Sequence, residues 1–293
     1  MSTAELPLNE LCEHAVKAAT AAGRYIRSVD REQVQAQYKA AGSSAASQLV
    51  TEVDYHCEAI IFQHLEESCA QWNIAFVGEE SAGHATEDRL SKPYFWCIDP
   101  LDGTLPFVEG RPGYAVSIAL VAQSGDPLIG VIYDAHTQTS IHAIKGQGVV
   151  RDNTTVFAQR AEVSRLRVLA DMSFAQHREF AALESIIDAC SRRMQLDGFD
   201  LVYGNGAVKN ACQVLEFPAA CYFKLPKTEE GGGSIWDFAA TACIAKEAGA
   251  WVSDIHGQTL DLNRRDSSFM NHQGVMFASC DAIACFLIAA LAR

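Results

Sequence analysis

Two stretches of the chain carry apolar residues at the three-to-four-residue period of an amphipathic helix. The first runs from Leu8 to Ile26 and predicts a helix that ends near Arg27. The second predicts a helix over Tyr55–Glu67, so that Asp54 lies at or near a helix start. An acidic residue at this position interacts favourably with the helix dipole, which gives Asp54 an ordinary structural explanation.

The central part of the chain has the pattern of a sheet. A continuous apolar run over Tyr94–Ile98 predicts a buried strand that breaks at Asp99-Pro100. Asn73–Val77 predicts a shorter strand before it. Further along, β-rich runs with turn residues between them predict consecutive antiparallel strands over Gly113–Val121, Leu128–Tyr133 and Ser140–Lys145.

From Val150 onward, short strand patterns alternate with helix patterns. Strands are predicted over Arg167–Ala170, Phe199–Tyr203, Ala219–Leu225, Trp251–Asp254 and Val275–Ser279. Helices are predicted over Glu179–Arg192, Ala207–Leu215, Trp236–Ala248 and from Asp281 onward. We therefore expect an N-terminal α+β half over residues 1–150 and a C-terminal α/β half over residues 151–293. No linker is long enough to make the halves independent, so we expect one compact unit.

Composition restricts the class of protein further. The 293 residues are 49% hydrophobic and 20% charged, which is ordinary for a globular chain. With 23 Lys and Arg against 36 Asp and Glu, the net charge of −13 disfavours nucleic-acid polymers and anionic membranes as partners. The ten cysteines are scattered without C-x-x-C pairs, and the chain has neither a long apolar run nor a signal-like start. We therefore expect a cytoplasmic protein with free thiols and no membrane segment.

The predicted central strand delivers two carboxylates to one turn. Asp99 and Asp102 stand three positions apart with Pro100 restricting the backbone between them, so both side chains can converge on one point. Two carboxylates so placed repel each other unless a cation lies between them. Gly103 lacks a Cβ and lets a ligand approach the backbone, and Thr104 offers a hydroxyl. The turn therefore has residue types suited to a metal ion and to an anion.

Other acidic motifs accompany this turn, namely Thr51-Glu-Val-Asp54, Gly78-Glu79-Glu80-Ser81 and Trp236-Asp237. Together with Asp99-Pro-Leu-Asp-Gly-Thr104, they resemble the signature of the inositol monophosphatase superfamily. The resemblance implies a layered αβαβα sugar-phosphatase fold, with two sheets between helices and the active site between the two halves. It also implies a Mg²⁺-dependent, lithium-sensitive hydrolase of phosphate monoesters that forms a homodimer.

The resemblance also assigns roles to individual residues. It implies a cluster of two or three Mg²⁺ ions, bound by the carboxylates of Glu79, Asp99, Asp102 and Asp237 and by the backbone carbonyl of Leu101. Thr104, hydrogen-bonded to Asp54, would orient or deprotonate the attacking water, with Glu79 as a further catalytic residue. The substrate would contact Asp102, Gly103, Thr104, Glu230 and Asp237. Oxygen ligands suit Mg²⁺, and zinc is disfavoured because no His or Cys falls at ligand spacing among these residues.

The expected substrate is inositol monophosphate, and 3′-phosphoadenosine 5′-phosphate is the alternative. Glu230 matches, by its spacing, the glutamate that contacts inositol hydroxyls in inositol monophosphatases, which favours inositol monophosphate. Lys209 and Lys224 lie in the region that recognises the nucleotide in bisphosphate nucleotidases, which favours 3′-phosphoadenosine 5′-phosphate. Lys39, in a predicted loop over Tyr38–Ser47, is a further candidate contact. The alternative for each of these residues is an ordinary solvated charge that contacts no substrate. The non-enzymatic alternative for the whole chain is a catalytically idle member of the superfamily that binds phosphate without hydrolysing an ester.

Overall fold

The fold is seen in a computed structural model of the chain. The structure describes residues 6–34, 36–38, 49–81, 88–152, 163–231 and 233–292. The predicted loop over Tyr38–Ser47 lies, after Tyr38, outside the described residues, and so does the candidate contact Lys39.

The two predicted N-terminal helices are present and pack against each other. Helix α1 covers Leu8–Ser28, and α2 covers Glu52–Trp72, which is longer than the apolar pattern predicts. α2 begins early because Thr51 caps it, accepting a hydrogen bond from Val53 N at 3.2 Å. It ends at Asn73, whose left-handed backbone with φ of 52° stops the helical hydrogen bonding.

The first sheet is built from the N-terminal part of the chain. Its strands β3 to β8 cover Ile74–Gly78, Tyr94–Asp102, Ala115–Ala122, Pro127–Asp134, Thr139–Ile144 and Val149–Arg151. They are neighbours in sequence order, with β3 parallel to β4 and the later pairs antiparallel. The three predicted antiparallel strands are therefore confirmed. A separate hairpin, which the sequence did not predict, pairs β1 (Ala36–Tyr38) with β2 (Leu49–Thr51).

The central strand differs from its prediction at one end. It was expected to break at Asp99-Pro100, but β4 continues to Asp102 with a shift in its register to β5 between Asp99 and Asp102. Proline fits here because β3 pairs with β4 only as far as Ile98, so no ladder donor is required of Pro100 on that side. The irregular end of β4 places both aspartates at the margin of the sheet.

The second sheet is built from short strands of the C-terminal part. Strands β9 to β13 cover Leu166–Leu169, Phe199–Val202, Ala220–Lys224, Trp251–Ser253 and Val275–Ala278. Their order is β10-β9-β11-β13-β12, with the first three parallel and β13 antiparallel to both neighbours. Further helices, α3 to α7, cover Thr104–Val108, Phe180–Arg193, Ala207–Val214, Ile235–Glu247 and Asp281–Leu291. The elements predicted for this part of the chain are thus confirmed.

These elements stack in five layers, which confirms the αβαβα fold implied by the resemblance. α1 and α2 cover one face of the first sheet, α5 and α6 lie between the sheets, and α4 and α7 cover the outer face of the second sheet. β4 is apolar from Tyr94 to Ile98 because both its faces are covered there: Phe95 and Cys97 pack between the sheets, and Trp96 and Ile98 pack under α1 and α2. Burying each large side chain of this kind contributes about 1.5–3 kcal/mol.

Three other sequence predictions concern the chain as a whole. The ten cysteines are free thiols, as predicted. Among the helices that the structure describes, none is both long and apolar enough to cross a membrane. The division of the chain into halves near residue 150 stays a prediction.

Candidate active site

The end of β4 and the start of α3 carry several of the predicted site residues. Asp99 and Asp102 are 2% and 5% exposed, and Asp99 Oδ1 accepts a hydrogen bond from Leu101 N at 3.1 Å. Gly103, between β4 and α3, has a φ of 81°, and a Cβ there would lie 2.6 Å from the carbonyl oxygen of Gly113. The turn therefore requires glycine, because a side chain would be strained and would displace neighbouring backbone.

The C-terminal part of the chain supplies a third acidic residue to the end of β4. Asp237 lies in the first turn of α6, where its Oδ2 accepts a hydrogen bond from Ser234 N at 2.5 Å. The preceding Trp236 is anchored to β5, because its carbonyl oxygen accepts a hydrogen bond from Ser117 Oγ at 3.2 Å. These contacts hold the start of α6 against the first sheet.

Asp99, Asp102 and Asp237 form one cluster, which we call the acidic triad. One carboxylate oxygen of each lies within 4.8 Å of the other two. Asp102 Oδ2 also accepts a hydrogen bond from Val208 N at 3.0 Å. A Cβ on Gly206 would come 2.2 Å from the same oxygen, so glycine is needed where α5 begins beside the triad.

The surroundings of the triad disfavour negative charge when no cation is bound. Burial raises the pKa of Asp102 well above its ordinary range, and the charge of Asp237 adds to this effect. Burial also raises the pKa of Asp237 to about 6. A bound divalent cation would favour the ionised carboxylates instead. The donor set consists of carboxylate oxygens, which are the ligands that Mg²⁺ prefers, and the triad therefore fits that ion.

A second group of contacts links this segment to the start of α2. Thr104 Oγ1 lies 3.0 Å from Asp54 Oδ1 and 3.2 Å from the carbonyl oxygen of Leu101, either of which can accept its proton. Asp54 Oδ2 accepts hydrogen bonds from Thr51 N at 2.8 Å and from Thr51 Oγ1 at 2.6 Å. Burial raises the pKa of Asp54 to about 6, against the lowering effect of the bonds from Thr51. Asp54 is thus an anchored carboxyl group that can exchange a proton near neutral pH.

Glu79 follows β3 at the same margin of the first sheet. Its backbone N–H continues the hydrogen bonding between β3 and β4. The next residue, Glu80, donates its N–H to Oε2 of Glu58 at 2.8 Å, and Glu58 is a buried residue of α2. After burial, the charge of Glu79 is a further cause of the raised pKa of Asp54. The carboxylate of Glu79 therefore lies within electrostatic range of this site.

Comparison with known protein families identifies the chain. The sequence model of the inositol monophosphatase family matches residues 8–284. The chain belongs to the inositol monophosphatase family. Members of this family are phosphomonoesterases, and membership supports a hydrolase of phosphate monoesters.

Individual relatives align with the chain over most of their length. The chain is 30% identical over 262 residues to Inositol monophosphatase 2 of Solanum lycopersicum, and the match covers 88% of the chain and 92% of the relative. It is 33% identical over 248 residues to the Nus factor SuhB of Vibrio cholerae, and the match covers 84% of the chain and 85% of that relative. The solved structure of an inositol monophosphatase from Anabaena (Nostoc) sp. PCC 7120 superposes with a TM-score of 0.70 at 20% identity. The superposition covers 98% of the chain and 97% of that structure, and the two share the same fold.

Most of the site residues predicted for this family member lie close together in the structure. The shared location comprises the acidic triad with Asp54, Glu79, Leu101, Gly103 and Thr104. Glu230 is exposed in the segment that follows β11. Its role as a reader of inositol hydroxyls stays a prediction.

The two candidate lysines differ in their surroundings. Lys209 Nζ pairs with Asp134 Oδ2 at 2.5 Å, and the two side chains are 14% and 9% exposed. Lys224 Nζ pairs with Asp171 Oδ2 at 2.9 Å. Burial lowers the pKa of Lys224, but the charges of Asp171 and Asp237 outweigh burial and raise it. Of the two ammonium groups, that of Lys224 is therefore the one that borders the triad.

Replacing Lys209 with methionine should lower the free energy of unfolding by about 3 kcal/mol, because Asp134 would lose the partner of its buried charge. Backbone N–H groups of His136 and Thr137, each at 2.9 Å, would remain as its hydrogen-bond donors. Denaturant unfolding measures the loss. The double variant Lys209→Met with Asp134→Asn removes the buried charge as well and should recover at least half of it. If the free energy of unfolding of Lys209→Met lies within about 0.5 kcal/mol of that of the unchanged chain, the pair does not stabilise the fold as expected.

Further local signals are present in the sequence around the acidic residues. Thr51 and Ser234 each stand three residues before an acid, and Asp54 and Asp237 each accept a hydrogen bond from the backbone N–H of that residue. This is the spacing of a capping box, so the position of both acids in a first helical turn was readable locally. Glu58 could have been found as the acid one turn after Asp54 on the same helix.

Proposed function

We propose that the chain hydrolyses a small phosphate monoester with Mg²⁺ held by Glu79, by the acidic triad and by the carbonyl of Leu101. The observation that carries the proposal is the triad itself, in which carboxylates from distant parts of the chain lie within 4.8 Å of one another. Such a cluster is repulsive without a cation. Family membership supports the reaction class, and a complement of two or three ions is part of the proposal.

The chain's own residues position the water and move its proton. When bound, Mg²⁺ supplies Lewis-acid polarisation of the phosphoryl oxygens and lowers the pKa of water. With Asp54 accepting the proton of Thr104 at 3.0 Å, the lone pairs of Thr104 Oγ1 are left to accept a hydrogen bond from the attacking water. As water attacks, Thr104 takes a proton from it and passes its own proton to Asp54. Burial raises the pKa of Asp54 to about 6 in the metal-free protein, and burial favours uptake of a proton by this carboxylate.

Thr104→Val removes the hydroxyl with little change in side-chain shape and should lower kcat about 100-fold with little change in KM. The measurement is phosphate release from inositol 1-phosphate with Mg²⁺ at saturating substrate. Thr104→Ser keeps the hydroxyl and should stay within about fivefold of the unchanged chain. Equal turnover by the valine and serine variants would exclude the hydroxyl from the mechanism.

For the substrate, we propose inositol monophosphate, because relatives over most of the chain carry the name inositol monophosphatase. The alternative is 3′-phosphoadenosine 5′-phosphate, which is favoured by the buried ammonium of Lys224 beside the triad. The proposal includes a cytoplasmic homodimer that is inhibited by lithium. Its partner is a small phosphorylated molecule rather than a nucleic-acid polymer or a membrane.

Phosphate release with Mg²⁺ tests the proposed function. The substrates are inositol 1-phosphate, 3′-phosphoadenosine 5′-phosphate and fructose 1,6-bisphosphate, each with and without Li⁺ and after treatment with EDTA. Turnover that needs Mg²⁺ and falls with Li⁺ is the expected result. Calorimetric Mg²⁺ binding without turnover of any ester would instead identify a catalytically idle phosphate-binding member.

A further inference from the structure

Glu58 is a buried acid of α2 that takes no part in the proposed proton transfer. It lies four residues after Asp54, so both acids project from the same face of that helix. Glu58 is 7% exposed, and a buried carboxyl group is costly unless hydrogen bonds replace those it made with water. One of the hydrogen bonds that replace them comes from the turn after β3, where Glu79 lies.

The carboxyl group of Glu58 packs directly against Gly78, the last residue of β3. A Cβ on Gly78 would overlap this carboxyl group, at 2.8 Å from Oε1 and closer still to Oε2. The backbone of Gly78 lies outside the left-handed region, so its conformation alone does not require glycine. The missing side chain leaves the space that the carboxyl group of Glu58 fills.

Two hydrogen bonds hold the backbone on either side of the Cα of Glu79. Glu79 N donates to the carbonyl oxygen of Ile98 at 3.0 Å, and Glu80 N donates to Glu58 Oε2 at 2.8 Å. One flanking peptide is therefore fixed by β4 and the other by α2. Because these two peptides set the direction of the side chain between them, they determine where the carboxylate of Glu79 can reach. We call the contacts of Glu58 with Gly78 and Glu80 the Glu58 clamp.

The carboxylate held by the Glu58 clamp lies among the other acids of the site. Burial is the largest cause of the raised pKa of Asp54, and the charge of Glu79 adds to it. The same charge acts in the same direction on two members of the triad, Asp102 and Asp237. The turn that Glu58 holds therefore places Glu79 within electrostatic range of both the proton acceptor and the triad.

We propose that Glu58 is a positioning residue, which sets the Mg²⁺ affinity of Glu79 by holding the turn after β3. The inference rests on the proposed function, which assigns Glu79 to Mg²⁺. A ligand that is already held loses less conformational entropy when the ion binds. Partners that orient metal ligands in this way change metal affinity about 10- to 100-fold. The role depends on where the acceptor oxygen of Glu58 reaches, and not on its charge.

Two small substitutions separate reach from charge. Glu58→Gln keeps an acceptor oxygen for Glu80 N but removes the charge, and its calorimetric Mg²⁺ affinity should stay within about threefold of that of the unchanged chain. Glu58→Asp keeps the charge but is one methylene shorter, and it should lower the Mg²⁺ affinity at least about tenfold. Glu66→Asp is the matched control on an exposed position of the same helix and should leave the affinity unchanged.

Further measurements distinguish positioning from plain stabilisation of the fold. In EDTA, the amide of Glu80 should exchange its hydrogen at least about tenfold faster in Glu58→Asp than in Glu58→Gln. Gly78→Ala displaces the same carboxyl group from the other side and should also weaken Mg²⁺ binding. If Glu58→Asp and Gly78→Ala lower only the melting temperature in EDTA, Glu58 is a structural residue and the inference is wrong. It is also wrong if Glu58→Gln weakens Mg²⁺ binding as much as Glu58→Asp, because the charge then matters.

Phosphate release from inositol 1-phosphate separates this inference from the proposed function. Glu58→Asp should raise the Mg²⁺ concentration at half-maximal turnover about tenfold, and saturating Mg²⁺ should restore kcat to within about threefold. If no ester is hydrolysed but Glu58→Asp weakens calorimetric Mg²⁺ binding, the proposed function is wrong and the role of Glu58 stands. If esters are hydrolysed and Glu58→Asp leaves the Mg²⁺ affinity unchanged, the role of Glu58 is refuted and the proposed function stands. An unchanged chain that binds no Mg²⁺ would overturn both.

Discussion

An Asp102→Asn variant is expected to lose at least about 1,000-fold in kcat/KM with Mg²⁺ while it remains folded. Asparagine has the same shape but lacks the charge with which Asp102 would bind a cation inside the acidic triad. Its amide oxygen can still accept the hydrogen bond from Val208 N at 3.0 Å. Burial raises the pKa of Asp102 well above its ordinary range, so the metal-free variant should be at least as stable as the unchanged chain.

Three measurements distinguish loss of metal binding from loss of fold. They are phosphate release, calorimetric Mg²⁺ affinity and the melting temperature in EDTA. Asp188→Asn is the matched control, because this aspartate lies on α4, is 39% exposed and pairs with Arg192. It should leave all three quantities unchanged. If Asp102→Asn keeps turnover within about tenfold, Asp102 is not a metal ligand and the assignment of the triad fails.

The Mg²⁺-free protein is expected to become less stable as the pH rises. In the metal-free protein, burial raises the pKa of Asp54 and of Asp237 to about 6, above the ordinary aspartate value near 4. Between about pH 4 and pH 6, the native state therefore binds more protons than the unfolded state, and the free energy of unfolding falls as the pH increases. For Asp54, a shift of about two pH units corresponds to about 3 kcal/mol at most.

Bound Mg²⁺ should oppose this trend, because it stabilises the ionised carboxylates and competes with protons for them. The increase in melting temperature caused by Mg²⁺ should then be about 5 °C or more larger near pH 8 than near pH 5. Thermal unfolding in EDTA and in Mg²⁺, at several pH values across this range, measures the difference. Asp54→Asn should make the metal-free pH dependence shallower. A metal-free protein that gains stability from pH 5 to pH 8 would contradict the raised pKa values.

Local patterns in the sequence determined the helices and strands and much of the site. The apolar period that predicts α1 and the continuous apolar run of β4 depend on neighbours along the chain, so they were readable without the fold. Asp99 and Asp102 lie three positions apart, and their convergence also follows from local geometry. The other acids, Glu79 and Asp237 among them, were assigned through the resemblance of their motifs to a family. The end of β4 was less predictable, because whether a strand continues past Pro100 depends on where its neighbouring strand stops.

Only the tertiary structure decided which distant charges meet. Asp237 reaches the end of β4 because α6 packs between the two sheets. Lys209 and Lys224 are both lysines of the C-terminal part, but one pairs with Asp134 of the first sheet and the other borders the triad. Glu230, selected by counting along the chain, is exposed. Helix periods and caps arise from contacts within a few residues, whereas charge partners depend on how whole layers pack, which no local stretch of sequence encodes.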